Sequence, residues 1–320
     1  MSLNRRQFLA AGLGAAGTLA TGVGLGAHVL PVLAREDLIP GQAPDMTLAP
    51  AAWTTTADHV SFVALGDNGS GGRQAMAVAE QMARTYRNRP YGNVVLLGDI
   101  CYYGKFDDRY QDVFVRPMSP LLDADVTFDL AIGNHDDALR HSETGYEEIE
   151  AEVTLLDTPG RYYSQTYGPA DVFLLDSSIP GLFGPDSEQL EWLDDTLASA
   201  TSQWRIVAMH HPPYSSGRHG STPRAEEVLV PILQRHKVDL VLAGHDHHYE
   251  RTVPLDGITY VVSGGGCKTT KVGRSDFTEV AKRILEFLHV EIDGDRLTGT
   301  CIQPQGQIAD RFELRAREGR

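Results

Sequence analysis

Short apolar runs recur along this chain, and five of them stop abruptly at a polar residue, usually just after a glycine. Residues 60–65 stop at Gly66-Asp67, residues 93–97 at Gly98-Asp99, and residues 127–132 at Gly133-Asn134-His135. Residues 204–209 stop at His210, and residues 238–243 at Gly244-His245. Runs this short, rich in Val, Ile and Leu, predict strands buried on both faces. Helical periodicity lies between them, over 73–87, 224–236 and 187–198, the last with Leu190, Leu193 and Leu197 on one side. Residues 162–167 and 172–175 predict a hairpin. The C-terminal third is strand-rich, over 258–263, 287–292, 296–302 and 311–314, with Asp293-Gly294-Asp295 supplying hairpin-turn chemistry. Residues 268–283 leave two readings, a mobile loop or a helix over the strand ends.

Strands that alternate with helices predict a largely parallel sheet with helices outside it, and the later hairpins add a second sheet. The expected fold is α/β: a four-layer α-β-β-α sandwich, two mixed sheets flanked by helices, in one domain over 58–316. No internal repeat competes with that assignment.

The first 57 residues depart from this pattern. Residues 1–34 carry Arg5 and Arg6, no Asp or Glu, and a Gly/Ala-rich apolar stretch over 8–33. Six glycines there would each weaken a soluble helix by about 1 kcal/mol, which argues against a helix of the folded domain. The segment is only mildly apolar, which suits a translocated leader better than a retained anchor. Arg-Arg followed by Gln-Phe-Leu resembles the twin-arginine export signal, with Val32-Leu33-Ala34 as the site of cleavage. Export by that route carries proteins already folded. Residues 35–57, rich in Pro, Ala and Thr, read as a linker. Periplasmic or secreted localisation is therefore expected, with transient contact to the export machinery and no stable membrane association once the leader is gone.

Composition narrows the function. The 320 residues include 42% hydrophobic and 22% charged positions, ordinary for a globular protein, so disorder and a multi-span membrane protein are excluded. The formal net charge of -15 argues against nucleic acid and anionic membranes as partners. A small anionic substrate stays open, because one local cation site reverses the field inside a cleft. Three cysteines are too few for a disulfide framework. One bridge, Cys267 to Cys301, is allowed in an oxidising compartment, and Cys101 reads as a free buried thiol.

In open α/β sheets, ligands bind beyond the carboxyl ends of the strands, so the residues at the five strand ends converge. The converging set is Asp67, Asp99, Asn134, His210, His245 and His247. Singly, each has an ordinary reading: a Gly-Asp after a strand is commonly a turn, and a lone His a surface or core residue. Five independent strand ends sharing one chemistry is a metal-ligand inventory for Zn, Mn or Fe. Cysteine is absent from it, unlike structural zinc sites. Six ligands exceed the need of one ion with open positions. Two ions sharing a carboxylate, roughly 3.5–4 Å apart, form the clamp used for in-line displacement at phosphorus.

At these residues the sequence resembles the calcineurin-like metallophosphoesterases. The blocks are Gly66-Asp67-Asn68-Gly69, Gly98-Asp99-Ile100-Cys101-Tyr102, Gly133-Asn134-His135-Asp136, Met209-His210-His211-Pro212 and Gly244-His245-Asp246-His247. Many members place a metal-binding His where Gly69 stands. Its loss, together with Tyr102 three residues after Asp99, resembles the purple acid phosphatase branch. His210-His211-Pro212-Pro213-Tyr214-Ser215 followed by His219-Gly220 is similar to the small tartrate-resistant, mammalian-type members. The resemblance implies the metallo-dependent phosphatase fold. It implies a ferric ion held by Asp67, Asp99, Tyr102 and His247, and a divalent Fe, Zn or Mn ion held by Asp99, Asn134, His210 and His245. Tyrosine ionises near pH 10, so as a ligand it calls for a Lewis acid as strong as Fe3+.

The implied activity is that of an exported acid phosphatase. A metal-activated hydroxide attacks a phosphomonoester in line, and His135 and His219 are the candidates to protonate the leaving alkoxide, the other readings being support behind the metal ligands for His135 and an ordinary loop histidine for His219. Two alternatives remain: a phosphodiesterase on the same centre, and a metal-binding protein on a scaffold without activity. His211 and His248 have two readings, pocket wall or support behind the ligands on one hand and a surface role on the other. Tyr103, Tyr214 and Arg218 are expected as cleft lining, with a solvated loop the better reading of Arg218. His59, His141, His236 and His289 lack motif context and read as structural.

Overall fold

The computed structural model describes residues 46–49, 56–102, 109–136, 156, 158–178, 184 and 187–317, all in the compact unit Glu36–Arg320. The leader, most of the linker, Tyr103 and His141 lie outside the described residues. No helix among the described residues is long and apolar enough to cross a membrane.

Thirteen strands follow in chain order among these residues: β1 (His59–Leu65), β2 (Asn93–Leu96), β3 (Thr127–Leu130), β4 (Tyr163–Tyr167), β5 (Ala170–Leu174), β6 (Trp204–Met209), β7 (Leu240–Ala243), β8 (Tyr249–Thr252), β9 (Thr259–Ser263), β10 (Thr278–Lys282), β11 (Phe287–Asp293), β12 (Arg296–Ile302) and β13 (Ile308–Arg315). They form a six-stranded sheet ordered β13-β12-β11-β1-β2-β3 and a seven-stranded sheet ordered β10-β8-β9-β7-β6-β5-β4. Each sheet has parallel strands where the site lies and antiparallel hairpins beyond. The helices are α1 (Arg73–Asn88), α2 (Arg116–Asp123), α3 (Glu188–Ser199), α4 (Pro223–Val228) and α5 (Val230–Arg235).

Strand alternation explains the layering, since successive side chains face opposite sides of a sheet. Phe62 and Ala64 of β1 join Val172, Ile206, Leu240 and Val261 in a core shared by the two sheets. Val63 and Leu65, on the opposite face of β1, pack with Val78, Met82 and Tyr86 of α1. Phe173 and Val207, on the outer face of the second sheet, pack with Leu190, Leu193 and Leu197 of α3. The result is the expected α-β-β-α sandwich. Helix α3 begins where its cap predicts: the Ser187 hydroxyl accepts the Leu190 N–H at 3.3 Å.

Several elements differ from expectation. The stretch 224–236 divides into α4 and α5, because Pro231 has no N–H to continue the ladder. Residues 268–283 are neither a helix nor one loop: they end in edge strand β10, antiparallel to β8. Strands β8 and β10 and helix α2, which follows a π-helical turn at Gln111–Val115, were not anticipated by the pattern. The bridge between Cys267 and Cys301 is absent. All three cysteines are buried and outside any disulfide, Cys301 in the inter-sheet core and Cys267 against Ala75 and Tyr102.

Candidate metal centre

Parallel register aligns the strand ends. Leu65 lies beside Leu96, Leu96 beside Leu130, and Met209 beside Ala243. The chain therefore leaves five strands on one side of the molecule, and hydrogen bonds tie the exits together. Gly66 N–H donates to the Ser263 carbonyl at 2.8 Å, and Asp67 N–H to the Gly98 carbonyl at 2.9 Å.

Asp67, Asp99 and His245 turn out of their strands with φ of 60°, 55° and 69°. A non-glycine residue in this left-handed region is held there by its surroundings at a cost of about 1–3 kcal/mol. Close approach makes two glycines obligatory. A Cβ on Gly98 (φ 86°) would lie 2.5 Å from His210 Nδ1, and one on Gly69 would lie 2.2 Å from the Ile100 carbonyl carbon. The second contact explains the missing histidine. The backbone that carries Tyr102 occupies the space a side chain at position 69 would need, and Tyr102 N–H donates to the Gly69 carbonyl at 3.1 Å.

Two groups of donor atoms result. In the first, Tyr102 Oη lies 2.8 Å from Asp67 Oδ1 and 3.1 Å from His247 Nε2, and His247 Nε2 lies 3.2 Å from Asp67 Oδ1. In the second, His210 Nε2 lies 3.2 Å from Asn134 Oδ1, 3.2 Å from His245 Nδ1 and 3.4 Å from Asp99 Oδ1. Asp99 belongs to both, because its carboxylate also falls within 4.8 Å of the donor atoms of Asp67 and His247. Bonds of roughly 2.1 Å to a shared ion set neighbouring ligands about 3 Å apart. The observed spacings fit ion ligation, and among the described residues the buried His247 Nδ1 has no hydrogen-bond partner that would fix the ring otherwise.

The protonation pattern points the same way. The Leu97 carbonyl can only accept, so His210 Nδ1, 2.7 Å away, carries a proton and Nε2 faces the site as a donor atom. Burial opposes charge on His210, but the adjacent Asp99 carboxylate outweighs it and raises its pKa to about 10. Burial likewise opposes ionisation of Asp99, and the charge and hydrogen bond of His210 reverse this, holding it well below the usual carboxylate range. Burial, then the charges of His210, His211 and His219, press His245 far below the usual imidazole range, leaving it neutral. Burial, then Asp67 and Asp99, hold the Tyr102 hydroxyl well above its ordinary value. The chain alone thus keeps Tyr102 protonated and His210 charged. A cation entering the site would displace both protons, so its binding strengthens as pH rises.

All seven expected ligands converge. The two expected proton donors border them. The ring of His135 meets Tyr102 edge-on at 4.9 Å, and that of His219 lies 4.4 Å from His245. His211 is nearer than expected: its ring is 4.3 Å from His245, and its Nδ1 is 3.0 Å from the Ser177 hydroxyl. His248 is fully buried beside Glu250, with Nε2 3.2 Å from the carboxylate. Tyr214 packs outside the site, against Tyr260 and Phe277. Arg218 is exposed on the His219 loop.

Two carboxylates in the motifs had been given no role. Asp136 accepts the N–H groups of Asp99 (2.7 Å), Ile100 (2.8 Å), Cys101 (3.3 Å) and Gly133 (2.9 Å), so one buried side chain shapes two ligand loops. Asp246 accepts the Ser215 hydroxyl at 2.6 Å and the His219 N–H at 2.9 Å, fixing the loop that carries His219. Their signal was position, since each directly follows a histidine in a strand-end block.

Comparison with known proteins agrees with this geometry. The calcineurin-like phosphoesterase family matches residues 60–249. Tartrate-resistant acid phosphatase type 5 of Mus musculus is 28% identical over 245 residues, 67% of this chain and 74% of its own length. The Sus scrofa protein of the same name is 27% identical over 332 residues, covering 89% of this chain and 95% of its own. Among solved structures, purple acid phosphatase PPD1 from Lupinus luteus seeds superposes with TM-score 0.70 at 21% identity, over 82% of this chain and 55% of that one. GAP50, the anchor in the inner membrane complex of Plasmodium, shares the fold with TM-score 0.71 at 16% identity, over 82% of this chain and 90% of that one.

Proposed function

This chain belongs to the calcineurin-like phosphoesterase family, metal-dependent hydrolases of phosphoric esters, and from that premise we propose that it is an exported acid phosphatase acting on phosphomonoesters. The observation that carries this reading is the pair of donor groups sharing Asp99. Asp67, Tyr102, His247 and Asp99 would hold Fe3+; Asp99, Asn134, His210 and His245 would hold a divalent Fe, Zn or Mn ion. When bound, the pair supplies Lewis acidity, activating a water for in-line attack on phosphorus and offsetting charge on the ester oxygens.

The chain supplies the rest. The Leu97 carbonyl and the Asp136 carboxylate fix His210 and the Asp99 loop before substrate arrives. His135 and His219 stand beside the ligands, one on each side, to protonate the leaving alkoxide. No Ser or Cys nucleophile is required. The twin-arginine leader fits a protein that takes up its ions before crossing the membrane to the periplasm or the exterior.

The test is a pair of initial-rate assays on the metal-loaded chain, with p-nitrophenyl phosphate and bis(p-nitrophenyl) phosphate. A kcat/KM at least about tenfold higher for the monoester is expected, equivalent to 1.4 kcal/mol of discrimination. A preference for the diester would overturn the phosphomonoesterase assignment and establish a phosphodiesterase.

A second prediction concerns Asp246. General acid catalysis contributes about 10²–10⁴-fold, so freeing the His219 loop by Asp246→Ala should lower kcat at least tenfold with bound metal unchanged. His219→Gln should lower kcat similarly, and the double substitution should add little further loss. Additive losses would show that Asp246 does not act through His219.

A further inference from the structure

Lys268 is a charge in the centre that ligation leaves unexplained. Its Nζ lies 3.6 Å from the centroid of the Tyr102 ring. The side chain is half-buried, and among the described residues no carboxylate lies within ion-pair distance of it. Its position is built in by the backbone on both sides. Gly266 N–H donates to the Gly66 carbonyl at 3.1 Å, and Thr270 N–H to the His247 carbonyl at 2.8 Å. The loop is thus tied to two of the strand exits that carry ligands.

An ammonium over an aromatic face is attracted to the ring's electrons, and more strongly when desolvated. We infer that Lys268 acts on the metal centre through Tyr102: it stabilises the electrons of the ring and so weakens the ring's donation to a bound ion. The inference rests on the reading of Tyr102 as a ligand to Fe3+. Two consequences follow from the sign of the charge. Lowering the energy of the donor electrons moves ring-to-iron charge-transfer absorption to shorter wavelength. A nearby positive charge also favours the reduced ion, so the centre is easier to reduce. Lys268 is a positioning and tuning residue in this account, and no substrate contact is assigned to it.

The experiment compares the full-length, iron-loaded protein with Lys268→Met, Lys268→Gln and Lys268→Arg, reading the visible absorption maximum, the reduction midpoint and the inhibition constant of inorganic phosphate. Both neutral variants should absorb at longer wavelength and resist reduction, and Lys268→Arg should restore wild-type behaviour. Two neutral variants are included so that misfolding of one, seen by circular dichroism, does not decide the result. Unchanged band and midpoint in a folded neutral variant would overturn the inference. If phosphate binding alone weakens, Lys268 contacts the anion directly and the tuning role is wrong. A colourless wild-type protein with iron bound would instead remove the underlying ferric-tyrosinate reading, a failure visible before any substitution is made.

Discussion

Asp99→Ala should all but abolish turnover and leave the protein with fewer than two ions. The Asp99 carboxylate reaches both donor groups, at 3.4 Å from His210 Nε2 and within 4.8 Å of the donor atoms of Asp67 and His247. Its loss would leave each group one ligand short and remove the negative charge between two cations. Stabilisation of the transition state by such a pair is worth several kcal/mol, so a fall in kcat of roughly 10³-fold or more is expected. The Asp99 side chain also accepts the His135 N–H at 2.8 Å, so the variant disturbs one proton donor as well. Asp99→Asn separates these effects. It keeps an acceptor for His135 but not the charge, and it should lose most of the activity with the fold intact by circular dichroism. Wild-type rates in Asp99→Asn would show that the carboxylate does not bridge ions.

Tyr102→Phe is the second large effect, and its readout is colour as well as rate. The ring stays packed against His135 and under Lys268, while the oxygen 2.8 Å from Asp67 and 3.1 Å from His247 is removed. Since burial and two carboxylates disfavour the free tyrosinate, only a strongly acidic cation makes that oxygen an anionic ligand. The variant should lose the visible band and retain Fe3+ poorly, with turnover reduced by about 10²-fold or more, as expected when a ligand to a catalytic ion is lost. Absorption spectra and iron content before and after dialysis against a chelator measure both. A band that survives in Tyr102→Phe would assign the colour elsewhere.

Most of the site was legible because one rule, ligands at the carboxyl ends of parallel strands, converts a one-dimensional pattern into a location. Asp67, Asp99, Asn134, His210 and His245 needed only their positions after apolar runs. Tyr102 needed the resemblance, and the structure supplies its physical cause in the contact between Gly69 and the Ile100–Cys101 backbone. What escaped lacked a periodic signature. Strand β8 reads Tyr-Glu-Arg-Thr and β10 reads Thr-Glu-Val-Ala-Lys. Each is held by pairing and by polar contacts, such as Glu250 accepting from the Thr278 hydroxyl at 2.7 Å, rather than by an apolar run. Helix α2 was hidden by its prolines: Pro117 sits in the first turn, where an N–H is dispensable, but Pro120 lies inside the helix, a position that ordinarily breaks a helical pattern. Lys268 meets Tyr102 only because the loop after β9 doubles back past Gly66, a path that local sequence does not encode. The same path carries Cys267 to Tyr102 and leaves Cys301 inside the sheet, so the two thiols never meet.

Metal content measured against turnover during stepwise reloading of the stripped protein bears most directly on the two-ion centre. Two ions per chain at full activity are expected, with little turnover before the second ion binds. Full activity with one ion, or with none, would contradict the account.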